Sequence, residues 1–242
     1  MQPRTLALIL ARKDSKRLKR KHLIQTGGKP VIEYTFEYAK SPLVTDIACS
    51  TDCKEIGALA TAAGISFIER PPELAGDTAH IIDAIEHALY EYEKRNKFIP
   101  AITVTLYGNV PYRRSRLEDG LRLFHASGAD SVVTACRVAK YHPDWMFRAG
   151  EKNALVFDKD SLSYRCQDLL PYYIETGAFI ISKTDVLLRR RPMSQLYSDF
   201  GDRIHFLEER LGDTVEIDEP GDLEYFNYLI SRNGGGTDGR NR

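Results

Sequence analysis

Short apolar runs alternate along this chain with longer segments in which apolar positions recur every three or four residues. Residues 5–11 are nearly continuously apolar, the pattern of a strand covered on both faces. Ile32, Thr35, Phe36 and Ala39 follow at helical spacing, and Pro42 closes that segment. A second strand is predicted over 47–50, a helix over 54–63 with Gly64 as its stop, and a third strand over 65–68. The clearest helix is predicted over 78–94. Ile81, Ile82, Ile85, Ala88, Leu89 and Tyr92 form its apolar stripe, and Asp77 or Thr78 stands where a cap belongs. Next come a β-branched strand over 101–106, a helix through Leu117, Leu121 and Phe124 opened by a Ser115/Glu118 capping box, and a strand over 132–136. Residues 178–182 and 214–217 read as the last strands. Pro220 fits the first turn of a closing helix that carries Leu223, Phe226 and Ile230.

Strands that alternate with helices predict an α/β fold, a three-layer sandwich around a mostly parallel central sheet. One domain is expected over 1–232. Residues 139–177 break the alternation with Pro143, Trp145, Pro171 and several other aromatic residues, and read as an insertion. Residues 233–242 are glycine-rich and polar and are expected to be disordered. The 34 basic and 34 acidic residues cancel, so no global field draws the chain to nucleic acid or a membrane, and any phosphate site has to be local. Cys49, Cys53, Cys136 and Cys166 match neither a disulfide framework nor a zinc clip and read as reduced thiols. The apolar run from Leu6 to Ala11 is too short for a signal peptide or a membrane span, so the expected location is cytoplasmic.

Ligands of such sheets bind beyond the carboxyl ends of the strands. That rule selects residues 12–22, 51–52 and 107–113 and Asp218. Seven of the residues from 12 to 22 are Lys or Arg. A triphosphate needs several fixed cations, because its charge is costly to desolvate unpaired. The loop is not a Walker A loop, since the glycines are missing. Charge alone favours a solvated loop or a nucleic-acid patch; position at a strand end brings phosphate binding level with that reading. The second chemical stretch is Thr214-Val215-Glu216-Ile217-Asp218-Glu219-Pro220. On a strand Glu216 and Asp218 point the same way, and two like charges repel unless a cation sits between them. Hard oxygen ligands near a triphosphate suit Mg²⁺. A solvent-facing strand that ends in a helix cap accounts for the same pattern equally well.

The segment Ile9-Leu10-Ala11-Arg12-x-x-Ser15-Lys16-x-Leu18-x-x-Lys21 resembles the nucleotide-binding signature of the acylneuraminate cytidylyltransferases. Ser50-Thr51-Asp52 and the run from Arg70 to Thr78 (RPPELAGDT) resemble two further segments of that family, and the likeness extends from Thr5 to about Ile230. The resemblance implies a nucleotide-diphospho-sugar transferase-like, Rossmann-related fold. It also implies nucleotide contacts from Ala11, Arg12, Ser15, Lys16, Lys21, His22 and Arg70, and Asn109 joins them by its place at a strand end and its donor and acceptor, where a simple turn at Gly108-Asn109 is the alternative. Arg12, Lys21 and Asp218 take the catalytic roles in this reading, and Asp218 with Glu216 holds Mg²⁺. Asn109, Arg113, Arg165 and Gln167 are the implied sugar contacts, with Arg165 on the sugar's carboxylate. The insertion at 139–177 becomes a dimerisation and sugar-binding element of a homodimer.

The implied reaction moves CMP from CTP to the anomeric hydroxyl of an acidic, sialic-acid-like sugar and releases pyrophosphate. This chain departs from the family pattern at Arg17, Lys19 and His22, where Gly, Pro and Asn are usual, and at Glu216, where Asp is usual. Tyr107-Gly108-Asn109-Val110-Pro111-Tyr112-Arg113 replaces a Q-P-T-S-P-L-R segment, and Glu175-Thr176-Gly177-Ala178 replaces P-N-G-A. Two alternatives stay open at this level: another nucleotide or sugar on the same fold, or a nucleotide-binding homologue that has lost catalysis.

Overall fold

Continuous apolarity suits a strand with neighbours on both sides and helices on both faces, and Thr5–Leu10 (β1) has all six residues buried at the sheet's centre. The computed structural model describes residues 3–149, 154–155, 165–189 and 200–234. Six further strands complete the main sheet: β2 (Asp46–Thr51), β3 (Ser66–Glu69), β4 (Ile102–Tyr107), β5 (Ser131–Arg137), β6 (Tyr173–Lys183) and β7 (Ile204–Glu209). Their order is β7-β5-β6-β4-β1-β2-β3. All neighbours are parallel except β6, which runs antiparallel to both β4 and β5. Register fixes where ligands can sit. Leu10 pairs with Ser50 on one side and Tyr107 on the other, so the loops after β1, β2 and β4 leave the sheet side by side.

Helices α1 (Val31–Tyr38), α2 (Lys54–Ala62) and α4 (Leu117–Ser127) cover one face, burying Phe36, Ile56, Ala60, Leu121 and Phe124 against the strands. The opposite face is covered by α3 (Ile81–Asn96), through Ile85, Ala88, Leu89 and Tyr92, with Leu187 from the short α5 (Thr184–Leu187). A third, smaller cluster joins Val31, Val215, Ile217 and Phe226, the last from α6 (Pro220–Gly234). Leu18, Ile24, Tyr112 and Leu223 pack against it, so one apolar knot ties the basic loop to the chain around Asp218.

Several sequence expectations shift. The last main-sheet strand is β7, an edge strand that the apolar pattern does not predict. Its exposed Ile204 and Phe206 do not give the unbroken apolar run of a central strand. Residues 214–217 are not a main-sheet strand; Thr214–Val215 pairs only with Tyr112–Arg113 in a two-residue antiparallel ladder. Helix α3 starts at Ile81, with His80 at the cap position and no side-chain cap, while Asp77 is engaged by Arg12 and Lys16. The Ser115/Glu118 capping box does not form either: α4 is capped by Arg116 without a side-chain bond, and Glu118 accepts from Ser41 Oγ at 2.6 Å. The closing helix begins at Pro220, as its proline implies, and continues through 233–234. The rest of the expected tail, 235–242, lies outside the described residues, as do 150–153 and 156–164 within the expected insertion. No helix among the described residues is long and apolar enough to cross a membrane.

Candidate active site

The site forms where the loops after β1 and β4 meet the segment before α6. Gly108 follows β4, and a Cβ there would stand 2.4 Å from Ile32 Cδ1 and 3.0 Å from His22 Cδ2. Its backbone N–H donates to Leu10 O at 2.9 Å, holding the two loops in register. Asn109 comes next and is buried. Its Nδ2 donates to Glu216 Oε1 at 2.9 Å, Asp218 Oδ1 at 3.1 Å and Ile217 O at 3.2 Å. One amide nitrogen therefore gathers both carboxylates. Val215 and Ile217 are buried while Glu216 and Asp218 face outward, so the alternation read from the sequence holds beyond the short ladder.

Lys21 meets this carboxylate pair from the basic loop. Its Nζ is 2.5 Å from Asp218 Oδ1, and its side chain is only 11% exposed. Buried charges are retained when paired, and this pair joins residues 197 apart in sequence. Arg12 and Lys16 belong to the same loop. Each donates to one oxygen of Asp77, at 3.0 and 2.9 Å. The Lys16 ammonium, with help from Arg12, holds the Asp77 carboxyl below the usual carboxylate range. Asp77 is thus the counter-ion of the phosphate-type cations and not the helix cap that its position suggests; its place in the RPPELAGDT run is the sequence signal for that role. Ser15 is half-buried, and Ala11 is buried, its N–H bonded to Ser50 O.

His22 and Arg70 form the floor. Burial pushes His22 down to about 3, the Lys21 and Arg70 charges acting in the same direction, so the imidazole is neutral at physiological pH. Arg70 is 4% exposed and donates to Ser50 Oγ and Ser50 O at 3.1 and 2.8 Å; burial lowers its pKa. A cleft of about 640 Å³ opens beside it, lined by Lys13, Asp52, Glu69 and Pro71 among others. Backbone strain in the loop falls on Arg20, at φ 53°, and not on Arg17, which pairs with Glu219 at 3.3 Å.

Of three expected sugar contacts, one faces inward and two lie on an exposed turn. Arg113 is a scaffold residue. Its guanidinium donates to Ala178 O at 2.6 Å, Tyr107 O at 2.9 Å, Thr35 Oγ1 at 3.1 Å and Val110 O, and burial pushes its pKa down to about 10. That geometry replaces the sugar-contact role expected for it, because its donors already bind main-chain carbonyls. Arg165 and Gln167 are exposed on the turn around Cys166–Asp168, with Arg165 paired to Asp168 at 3.4 Å. Glu175, by contrast, comes close to Glu216: burial first and the Glu216 charge second raise its carboxyl pKa.

The donor set can be tested against a divalent cation. Among the described residues no group of three or more His, Cys, Asp or Glu side chains forms a metal cage. Two carboxylates do converge on one point, beside a loop of phosphate-type cations. Mg²⁺ characteristically takes one or two carboxylates plus substrate phosphate oxygens and water, so the residues present fit it.

The family model described as Cytidylyltransferase matches residues 6–211. N-acylneuraminate cytidylyltransferase of Streptococcus agalactiae serotype III (strain NEM316) is 31% identical over 191 residues, 77% of this chain and 45% of that protein. The chain thus spans about half the length of such relatives. Pseudaminic acid cytidylyltransferase of Campylobacter jejuni serotype O:23/36 (strain 81-176) is 28% identical over 235 residues, 95% of this chain and 97% of that one. Among solved structures, a CMP:2-keto-3-deoxy-manno-octonic acid synthetase complexed with CTP superposes with a TM-score of 0.70 at 19% identity, over 95% of this chain and 99% of the other. At that identity the likeness concerns the fold.

Proposed function

We propose, from the premise that this chain belongs to the cytidylyltransferase family, that it transfers CMP from CTP to the anomeric hydroxyl of an acidic nonulosonic sugar and releases pyrophosphate. The observation that carries the reading is the Lys21–Asp218–Asn109–Glu216 cluster beside the Arg12/Lys16 cations, at the carboxyl ends of adjacent parallel strands. The relatives named for N-acylneuraminate and pseudaminic acid supply the sugar class.

In this mechanism Arg12 and Lys16 release Asp77 and take up the β- and γ-phosphates, with the Ser15 hydroxyl completing the cradle, while Ala11, its N–H held by Ser50 O, fixes where the loop leaves the strand. Neutral His22 donates a hydrogen bond without adding charge, and buried Arg70 borders the cleft that receives the nucleoside. Asp218 and Glu216 would hold Mg²⁺, which when bound offsets phosphate charge and polarises the α-phosphate. Lys21 holds Asp218 in place and faces the charge that grows on the leaving pyrophosphate. The sugar's hydroxyl oxygen attacks the α-phosphorus and gives its proton to solvent as the bond from that phosphorus to the bridging oxygen breaks, and the oxygen leaves with pyrophosphate. The chain's contribution is positioning and fixed charge. Arg165, with Gln167 beside it, is the proposed partner of the sugar's carboxylate.

The proposed assembly is a cytoplasmic homodimer. Tyr141, Met146, Tyr172, Ile174 and Leu211 are exposed around an apolar groove of about 490 Å³. A concentration of apolar surface of this kind marks an interaction face, and the second copy is its proposed occupant. Mass spectrometry of a reaction with CTP and N-acylneuraminate or pseudaminate tests the chemistry. Formation of CMP joined to the sugar is expected. Hydrolysis of CTP with no CMP-sugar would overturn the transfer reading.

A further inference from the structure

Glu209 ends β7 opposite Cys136 and is 6% exposed. Its Oε2 receives two hydroxyls: Thr176 Oγ1 from β6, and Thr214 Oγ1 at 2.9 Å. Its Oε1 is buried without a hydrogen-bond partner. Nothing in the nucleotide-transfer mechanism uses this carboxylate. A buried acid with an unpartnered oxygen is costly, so the fold keeps it there against a penalty.

The connections of Thr214 show what the acid does. Residues 210–213 make a tight turn, with Arg210 N bonded to Asp213 Oδ2 at 3.0 Å and Gly212 at φ 92°. Thr214 is the first residue after that turn and pairs with Arg113 in the two-residue ladder. Two residues later comes Glu216 and two after that Asp218. The bond from Thr214 to Glu209 therefore closes the turn at its base and sets the direction in which the acidic segment leaves. On its other side that segment is held by Asn109, whose loop is braced by Arg113 through Val110 O and Tyr107 O. Glu209 also faces the Arg113 guanidinium electrostatically and offsets part of its buried charge. One carboxylate thus bears on both supports of the Glu216–Asp218 pair.

We infer that Glu209 is a positioning residue for the divalent-cation site: clasped to Thr214 and Thr176, it fixes the segment that presents Glu216 and Asp218. Outer supports of this kind tune metal affinity without touching the metal. The inference rests on the nucleotidyl-transfer reading.

The test uses Mn²⁺ as a spectroscopic probe, its binding to the full chain followed by electron paramagnetic resonance with and without CTP. Glu209→Gln keeps the volume and removes the charge that strengthens both hydroxyl bonds. Its Mn²⁺ affinity in the presence of CTP should fall about tenfold. CTP affinity measured without divalent cation should stay within about twofold of the native chain, since the Arg12 loop is untouched; a merely structural defect would weaken both. Thr214→Val keeps the Glu209 charge, removes one clasp, and should show a smaller loss in the same direction. It carries the test if Glu209→Gln does not fold. Unchanged Mn²⁺ affinity in a folded variant, or equal loss of nucleotide affinity, overturns the inference alone. A native chain that binds no Mn²⁺ with CTP overturns both the inference and the reading beneath it.

Discussion

Lys21 and Asp218 form an ion pair between residues 197 apart in sequence, so the pair exists only in the assembled site. Asp218→Asn should lower kcat by roughly 10²–10³, the scale at which a preorganised charge in an active site acts, while CTP binding without divalent cation persists. Steady-state kinetics with parallel titration calorimetry separates the two effects. His22 provides a pH signature. Its folded pKa of about 3 lies below the ordinary 6.5, so between those values the unfolded chain binds the proton that the folded chain refuses. This contribution to stability is complete above pH 6.5 and is lost as pH falls toward 3. His22→Gln should flatten the decline of the urea midpoint between about pH 7 and pH 4. An unchanged slope would mean that the imidazole titrates freely in the folded protein.

The small apolar knot of Val31, Val215, Ile217 and Phe226 assembles the site at the level of elements. Ile217 is fully buried between the two carboxylate-bearing residues, so Ile217→Ala should cost about 2–5 kcal/mol and also lower metal affinity, because the cavity loosens the segment that presents Asp218. Chemical denaturation and Mn²⁺ binding report on the two effects. Gly108→Ala should destabilise by about 1–3 kcal/mol in the same denaturation experiment, since its Cβ would meet Ile32 and His22. What the sequence disclosed follows the same divisions. Strand β1 was legible because a nearly continuous apolar run of that length suits a buried strand, β4 because its residues are rich in β-branched side chains, and the Glu216/Asp218 pair because side chains alternate in extended chain. Strand β7 was not legible, because an exposed edge strand carries neither a continuous nor a strict alternating pattern. The roles of Glu209 and Arg113 were also hidden: each rests in part on partners far away in sequence, Thr176 for Glu209 and Ala178 for Arg113, which no local periodicity encodes.

For the whole molecule, net charge is zero while seven of the 34 Lys and Arg residues fall between 12 and 22, so phosphate binding is a matter of that local loop and not of the global field. The exposed apolar groove between residues 136–146 and 172–174 is the proposed interface with a second copy. Ile174→Glu should convert the proposed dimer to a monomer in sedimentation velocity, because a buried unpaired charge at the interface is strongly unfavourable. A native chain that already sediments as a monomer would contradict the assembly. The central claim, that the basic loop and the Glu216/Asp218 segment form one nucleotidyl-transfer site, is tested most directly by pyrophosphate release. The four ribonucleoside triphosphates would be offered with Mg²⁺ and a panel of acidic nonulosonic sugars to the native chain and to Asp218→Ala. Release that requires CTP and an acidic sugar, and that disappears in the variant, is the expected result. Release that survives Asp218→Ala, or that occurs with no CTP–sugar pair despite CTP binding, would contradict it.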